Sequence, residues 1–195
     1  MADRLVVLRE GAVHQVGTPE DLHTRPANWQ VADFMGYRNL LRLTVTSVSA
    51  DAVVVEGDGL RLVATPVGSL TTGQPVVVGI RPEDLVVLEG AAEAGAADYG
   101  RDPMPNGTNQ IRAHVEVVQY QGRDLAMDAR TANGVRLHVR TQQRLTPGDP
   151  LVLLVTVDQL RAFPDDRGAD PVSSETAFAD AGELATGAMA GRAAP

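Results

Sequence analysis

The sequence predicts a mainly β protein, a small barrel or sandwich built from a β-unit that occurs twice. From about residue 40, short runs rich in Val, Leu and Thr alternate with Gly, Asp and Pro, which is the spacing of many short strands. Residues 58–88 also match residues 133–163 without a gap. Aromatic residues make up only 4% of the chain, so the core must be built from Val, Leu, Ile and Ala.

A β-hairpin and a short helix are predicted at the start of the chain. Apolar runs at 4–9 and 13–16 flank a turn that contains Gly11, the pattern of two strands joined by a tight connection. Thr18 can cap the free amides of a helix, and Pro19 suits the first helical position. The two acids that follow favour the positive end of the helix dipole.

A second helix is predicted over residues 27–35. Val31, Phe34 and Met35 recur at spacings of three and four and would share one face. Gly36 can adopt the left-handed backbone that commonly ends a helix.

Two sets of strands are then expected. The first set covers residues 41–48, 52–56, 60–64, 76–80 and 86–88. The second set covers residues 111–119, 124–130, 135–140 and 151–157. The Gly- and Ala-rich stretch 89–110 is interpreted as an insertion that joins them.

The internal repeat is offset by 75 positions, with nine identical residues among the 31 that are aligned. The clearest match is Leu70-Thr-Thr-Gly-Gln-Pro75 with Leu145-Thr-Pro-Gly-Asp-Pro150, where turn residues agree as well as apolar ones. We interpret this as one β-unit used twice, over about 40–88 and 111–163. The two units would form either two small barrels or one barrel with shared strands.

Residues 164–195 are predicted to be a disordered acidic tail. They carry six acids and two arginines, a net charge of −4 out of −8 for the whole chain. With so few large apolar residues, burial could not offset the entropy lost on ordering.

Composition argues against several functions. The net charge of −8 and the scarce aromatics are unsuited to binding nucleic acid. The absence of cysteine excludes disulfides and thiol catalysis. The four histidines lack the spacing of a metal site, so no metal is expected. All 17 basic residues are arginine, so the lysine of an ATP-binding glycine-rich loop is missing.

Candidate regulatory or interface residues lie at two strand ends. In Arg81-Pro82-Glu83-Asp84 the arginine could bind an anion and the acids could receive a partner's arginine. The alternative is a strand end with a local ion pair, and this interpretation is favoured. The run Tyr120-Gln121-Gly122 could stack a ligand on its tyrosine ring, although a tyrosine at a strand end more often packs. Catalysis by paired acids is not favoured for any of these residues.

The first 39 residues resemble the end of the ATPase domain in bacterial ABC importers of the maltose, polyamine and ferric-iron type. The segments that carry this resemblance are Ala2–Leu22, Pro26–Asn28, Val31–Gly36 and Asn39, with Gln30 standing where the family usually has an aromatic. The run Val78-Gly-Ile-Arg-Pro-Glu-Asp-Leu85 resembles the TOBE domain, an OB-fold module that follows the ATPase domain, and Gln119–Gly122 and 145–163 fit its second half.

The resemblance implies a division of the chain into three parts. Residues 1–38 would be a remnant of the ABC ATPase domain, 39–163 an OB-like TOBE domain, and 164–195 the tail. The family's Walker A, signature, Walker B and switch-histidine motifs are absent from this sequence. The chain is therefore expected to be no enzyme and to hold no cofactor, while the full-length family uses ATP and magnesium.

The function implied is a regulatory and dimerisation segment of an importer's ATP-binding subunit. The expected partners are a second copy bound through the β-domain, the membrane subunits bound through the missing ATPase domain, and a regulatory protein or small effector. The expected location is the cytoplasm, at the inner face of the membrane. The alternative is a stand-alone module that binds an oxyanion such as molybdate. The repeat weighs against this alternative, because Arg81 aligns with Thr156.

Overall fold

The computed structural model describes residues 3–88, 107–121 and 124–166. The fold is mainly β and of the OB type, as the sequence predicts. It begins with an antiparallel hairpin and two short helices, namely β1 (Leu5–Arg9), β2 (Ala12–Gly17), α1 (Pro19–Thr24) and α2 (Trp29–Phe34). None of the described helices is long and apolar enough to span a membrane.

Helix α1 begins as its sequence predicts. The Thr18 hydroxyl oxygen accepts a hydrogen bond from the Asp21 amide at 3.1 Å, and the Asp21 carboxylate accepts one from the Thr18 amide at 3.3 Å. This reciprocal capping box satisfies amides that have no partner within the helix. Hydrogen bonds from Thr18 also hold the pKa of the Asp21 carboxyl below its ordinary value.

Helix α2 begins two residues later than predicted, because Asn28 caps it. The Asn28 side-chain oxygen accepts from the Val31 amide at 2.9 Å. At the other end, Gly36 has a φ of +95° and its amide donates to Asp33 O. The next amide donates to the carbonyl of Ala32, which completes the turn that typically ends a helix at glycine.

The buried face of α2 differs from the predicted one. Phe34 is 73% exposed, whereas Trp29, Val31 and Ala32 are buried. The helix has only six residues, so its orientation is set by what it packs against more than by its own periodicity.

Two β-units follow. The first contains β3 (Asn39–Val48), β4 (Val53–Gly57), β5 (Leu60–Pro66), β6 (Pro75–Ile80), a 3-10 turn (Pro82–Asp84) and β7 (Val86–Val87). The second contains β8 (Thr108–Gln121), β9 (Asp124–Arg130), β10 (Arg136–Thr141), β11 (Pro150–Thr156), a 3-10 turn (Val157–Gln159) and β12 (Arg161–Pro164). Each unit therefore has the same order of elements.

Most strands agree with the predicted ranges to within one or two residues, and the largest differences concern β8 and β12. Strand β8 begins at Thr108 rather than at residue 111, because residues 108–110 pair with the end of β11. Strand β12 was not predicted at all. It is the last strand of the second unit, as β7 is the last strand of the first unit. The alignment of the two repeats could therefore have predicted it.

The units exchange their last strands. Strand β12 of the second unit pairs with β5 and β6 of the first and closes a barrel of order β12-β5-β4-β3-β6. Strand β7 of the first unit pairs with β11 in the sheet β10-β9-β8-β11-β7. Shared strands therefore join the two units, and a single apolar core continues across both.

Two buried asparagines also link the units. Asn39 is 2% exposed and bonds both backbone groups of His138, donating to the carbonyl at 2.9 Å and accepting from the amide at 2.6 Å. Asn109 is 1% exposed and does the same with Val63, at 2.9 and 2.7 Å. Because Val63 and His138 are 75 positions apart, each unit holds the other with an equivalent side chain. We call these pairs the asparagine clasps.

Candidate functional site

Arg81 lies where the β-units meet the N-terminal segment, which we define as residues 3–38. One Nη atom of its guanidinium donates to the carbonyl of His23. The guanidinium carbon also lies 4.4 Å from the centre of the Tyr37 ring, within the range of a cation–π contact. Arg81 thus contacts the end of α1 and the segment that follows α2.

Arg161 makes a second contact of the same kind. It follows the 3-10 turn of the second unit, and its Nη2 donates to the carbonyl of Thr24 at 3.4 Å. The carbonyls at the end of a helix lack intrahelical partners and carry the negative end of the helix dipole. Arg81 and Arg161 together cap the end of α1, and we call them the arginine clamp.

Helix α2 is held on the barrel by an apolar cluster and by Asp166. The Trp29 indole donates to the Asp166 carboxylate at 2.7 Å, and Gln30 donates to the same oxygen at 3.2 Å. Gly79 lies beneath, where an added Cβ would come within 2.9 Å of the Tyr37 ring. The cluster consists of Trp29, Ala32, Tyr37, Val77 and Phe163. Asp166 belongs to the segment expected to be the tail, and residues 167–195 of that segment lie outside the described residues.

Asp84 contacts its own counterpart in the second unit. Gln159, 75 positions later, donates to the Asp84 carboxylate at 3.3 Å. Burial raises the pKa of the Asp84 carboxyl above its ordinary value, while the nearby Arg81 works in the opposite direction. Asp84 is therefore part of the contact between the two units.

Glu83 faces an open groove of about 650 Å³ between α2 and the second sheet. The charged side chains along the groove are Asp33, Arg38, Glu83, Asp128, His138 and Arg140. His138 Nδ1 lies 2.6 Å from Asp128, and Arg140 lies 3.4 Å from Asp124 at the rim. The groove thus mixes both signs of charge instead of concentrating one.

The predicted residues do not form one site. Arg81 and Asp84 lie at the junction of the two units and the N-terminal segment, while Glu83 points to the groove. Tyr120 is 78% exposed near the tip of the β8–β9 hairpin, and Gly122 lies outside the described residues. The sequence also gave no sign of Arg161 as a partner of Arg81, because their contact with α1 depends on the exchange of β12.

Within the described residues, no group of three or more His, Asp or Glu side chains could hold a metal ion. At the junction, an Nη atom of Arg81 and an Nη atom of Arg161 are occupied by contacts with backbone carbonyls of the chain, whereas Arg81 Nε is buried without a hydrogen-bond partner.

The comparisons with known proteins agree with this architecture. Residues 78–163 match the TOBE domain family. The spermidine/putrescine import ATP-binding protein PotA of Pseudomonas fluorescens is 36% identical over 146 residues, which is 74% of this chain and 35% of the relative. The sn-glycerol-3-phosphate import ATP-binding protein UgpC of Cereibacter sphaeroides is 30% identical over 176 residues, 90% of this chain and 42% of the relative.

This chain belongs with the C-terminal regions of ABC importer ATP-binding subunits. A third relative of this kind is the Fe(3+) ions import ATP-binding protein FbpC 2 of Rhizobium meliloti, 36% identical over 122 residues, which is 63% of this chain and 29% of that protein. The chain spans well under half the length of these curated relatives.

Among solved structures, the cytoplasmic molybdate-binding protein ModG with molybdate bound matches at a TM-score of 0.51 and 16% identity, covering 65% of this chain and 96% of that one. At this identity the likeness shows the fold alone. It supports the OB-type assignment of the TOBE domain.

Proposed function

We propose that this chain is a non-catalytic regulatory and dimerisation segment of an ABC importer ATP-binding subunit. The arginine clamp is the observation that carries the proposal. It fastens the N-terminal segment, which resembles the edge of the ATPase domain, to the TOBE domain at the junction of its two units. A movement of the ATPase edge would therefore be passed to the β-units.

The hairpin of the N-terminal segment supports the same proposal. Its outward side chains are apolar and exposed, which is unusual for a surface that meets only water. In the proposed subunit this face packs against the remainder of the ATPase domain, where ATP and magnesium would bind. The exposed apolar residues of the hairpin are Leu5, Val6, Leu8, Val13 and Val16.

The proposed mechanism is a shift between two states. A regulatory protein or small effector that binds the TOBE domain better in one state moves the subunit towards that state, by no more than the difference between its two affinities. A second copy of the chain bound through the β-domain would keep two ATPase domains together while they open and close. The location proposed is the cytoplasmic face of the membrane, beside the importer's membrane subunits.

A hybrid protein tests the proposal. The matching segment of the Pseudomonas fluorescens relative is replaced by this chain, with and without Arg81→Gln and Arg161→Gln, and ATP hydrolysis and polyamine uptake are measured. We expect the hybrid to perform both, and the double variant to keep ATP hydrolysis while uptake falls by about tenfold, the effect of losing one to two hydrogen bonds.

Uptake that is equal in the hybrid and its double variant would contradict the role of the clamp. ATP hydrolysis by the purified chain alone would contradict a non-catalytic segment. Sedimentation equilibrium tests dimerisation, and a chain that stays monomeric at every accessible concentration would remove that part of the proposal.

Oxyanion binding is the second candidate, supported by the fold of ModG. The groove offers Arg38, Arg140 and His138, but three carboxylates line the same space and would repel an anion. We therefore expect no heat of binding when molybdate is titrated into the chain, and tight binding would favour this alternative.

A further inference from the structure

The barrel of the first unit is closed where its third strand, β5, pairs with the exchanged strand β12. We call this line of contact the closed seam. Strand β12 runs parallel to β5, with Arg161 opposite Thr65. The Thr65 amide donates to Leu160 O at 2.9 Å, and the Val67 amide donates to Ala162 O at 2.9 Å. These bonds complete the barrel.

The repeat places an equivalent seam between β10 and β7. The 75-residue offset puts Arg140 where Thr65 stands and Gln142 where Val67 stands. Their amides should then donate to Leu85 O and Val87 O. Among the described residues neither bond is present, and β10 and β7 are the two unjoined edges of their sheet.

Gln143 occupies one of the acceptors that closure needs. Its side-chain amide donates to Val87 O at 3.0 Å. The equivalent residue in the first unit is Gly68, which has no side chain and a φ of +76°. The open seam therefore contains a competing donor that the closed seam lacks.

The other supports of the seam are alike in both units. The 3-10 turn of the first unit packs against β10, as the turn of the second unit packs against β5. Asn39 fixes the middle of β10 at His138, just as Asn109 fixes β5 at Val63. The two edges are therefore already aligned, and closure requires mainly that Val87 O change its donor.

We propose that the open seam is a conformational switch. In one form Gln143 bonds Val87 O and the second sheet stays open. In the other form β7 and β10 pair in parallel as β12 and β5 do, and the second unit becomes a barrel. Pro82, Glu83 and Arg140 line the groove beside the seam, so closure reshapes the groove. The switch is a property of the fold and does not depend on the proposed function.

Cysteine cross-linking tests the switch, because the chain has no cysteine of its own. Val86→Cys with Arg140→Cys places thiols at the positions that would face each other after closure. Thr65→Cys with Arg161→Cys is the positive control, since that pair is already opposed. Val86→Cys with Arg136→Cys is the negative control, because Arg136 lies four residues, about 13 Å, further along the strand. A disulfide needs Cα atoms within roughly 7 Å.

We expect the Val86–Arg140 pair to cross-link more slowly than the positive control, and the negative control to stay reduced. Adding Gln143→Gly should raise the rate of cross-linking by about fivefold, the effect expected from one hydrogen bond. The switch would be overturned if the Val86–Arg140 pair formed no cross-link by the time the positive control had reacted fully. It would also be overturned if Gln143→Gly left the rate of cross-linking unchanged.

A second measurement needs no cysteine variants. Hydrogen exchange of the Arg140 and Gln142 amides is compared in the unmodified chain and in Gln143→Gly. Exchange should slow in the variant, by at most about fivefold, because one hydrogen bond shifts the closing equilibrium by about that factor and amides that are mostly open gain less protection. Unchanged exchange in a folded Gln143→Gly protein would count against the proposal even if the cysteine variants fail to fold.

Discussion

The two β-units are alike where they hold each other and unlike where they meet the rest of the chain. Both use a buried asparagine to clasp the other unit, and both donate their last strand to it. Among the described residues, only the first unit closes into a barrel, and α2 and the arginine clamp cover the outer side of that unit. The repeated sequence therefore accounts for the contacts that the two β-units share, and the N-terminal segment accounts for the difference between them.

The outer faces of the units show the same contrast. Phe163 is fully buried beneath α2, whereas its repeat counterpart Leu88 is 38% exposed. On the second sheet, alternate residues of β10 are basic and pair with acids of neighbouring strands. These pairs are Arg136 with Glu116, His138 with Asp128, and Arg140 with Asp124. The outer face of the second sheet therefore carries charged pairs where the first unit has the apolar cluster under α2.

The largest expected effect comes from the two equivalent apolar positions. Phe163→Ala removes a buried ring from the α2 cluster and should lower the free energy of unfolding by about 3–5 kcal/mol. Leu88→Ala should cost less than about 1 kcal/mol, since the side chain is partly in water already. Urea unfolding measures both, and equal losses would show that the halves are covered alike.

The asparagine clasps should contribute equally. Asn39→Ala and Asn109→Ala each leave a partly buried amide and a partly buried carbonyl without the asparagine partner, which should cost about 1–2 kcal/mol. Arg42→Ala on the exposed side of β3 is the control and should change the stability little. The equivalence of the clasps fails if one variant is as stable as the control.

The arginine clamp should protect the N-terminal segment in particular. In Arg81→Gln with Arg161→Gln, we expect thermolysin to cut the region 3–38 several times faster, because about 1 kcal/mol of contact is lost for each arginine. The β-units should keep their resistance. Arg144→Gln, at an exposed position, is the matched control. If thermolysin cut residues 3–38 and the β-units faster by the same factor, the clamp would support the whole fold and not the N-terminal segment in particular.

Asp84 should give the smallest effect, through pH. Its pKa is raised from 3.8 by burial, so the folded chain holds this proton more firmly than the unfolded chain does. The contribution to stability is thus present at low pH and is lost as the pH rises from 3.8 through the folded pKa. Asp84→Asn should remove this dependence and stabilise the chain at pH 7 by about 0.5 kcal/mol or less, because solvent screens the group.

Urea titrations at several pH values measure this difference, with the exposed Asp51→Asn as the control. We expect the difference in free energy of unfolding between Asp84→Asn and the unmodified chain to shrink as the pH falls. A difference that grows instead would contradict the burial of Asp84.

The fold class and most elements could be predicted from the sequence because their signals are local. The helix cap at Thr18 and strand β9 at residues 124–130 agree with the predictions. Phe34 was placed on the wrong face because a six-residue helix takes its orientation from distant partners. The last strand was missed because it is only four residues long and pairs with residues more than 80 positions earlier.

The candidate site was predicted only in part. Arg81 stood out as a charged residue at a strand end, but the contacts that the structure gives it, with His23 and Tyr37, are distant in sequence and differ from the local ion pair that was favoured. Its companion Arg161 could not be predicted because the exchange of β12 brings it into place, and the clasp partner His138 could not be predicted because it lies 99 positions from Asn39. Asn39 and Asn109 carry a weak signal, since each stands at the start of the first long strand of its unit.

Hydrogen exchange of four amides tests most directly the claim that equivalent units close differently. Thr65 and Val67 donate across the closed seam, while Arg140 and Gln142 hold the same positions at the open one. We predict that the first pair is protected nearly as well as the core, and that the second pair exchanges at least about tenfold faster. Equal protection of all four amides would contradict the account.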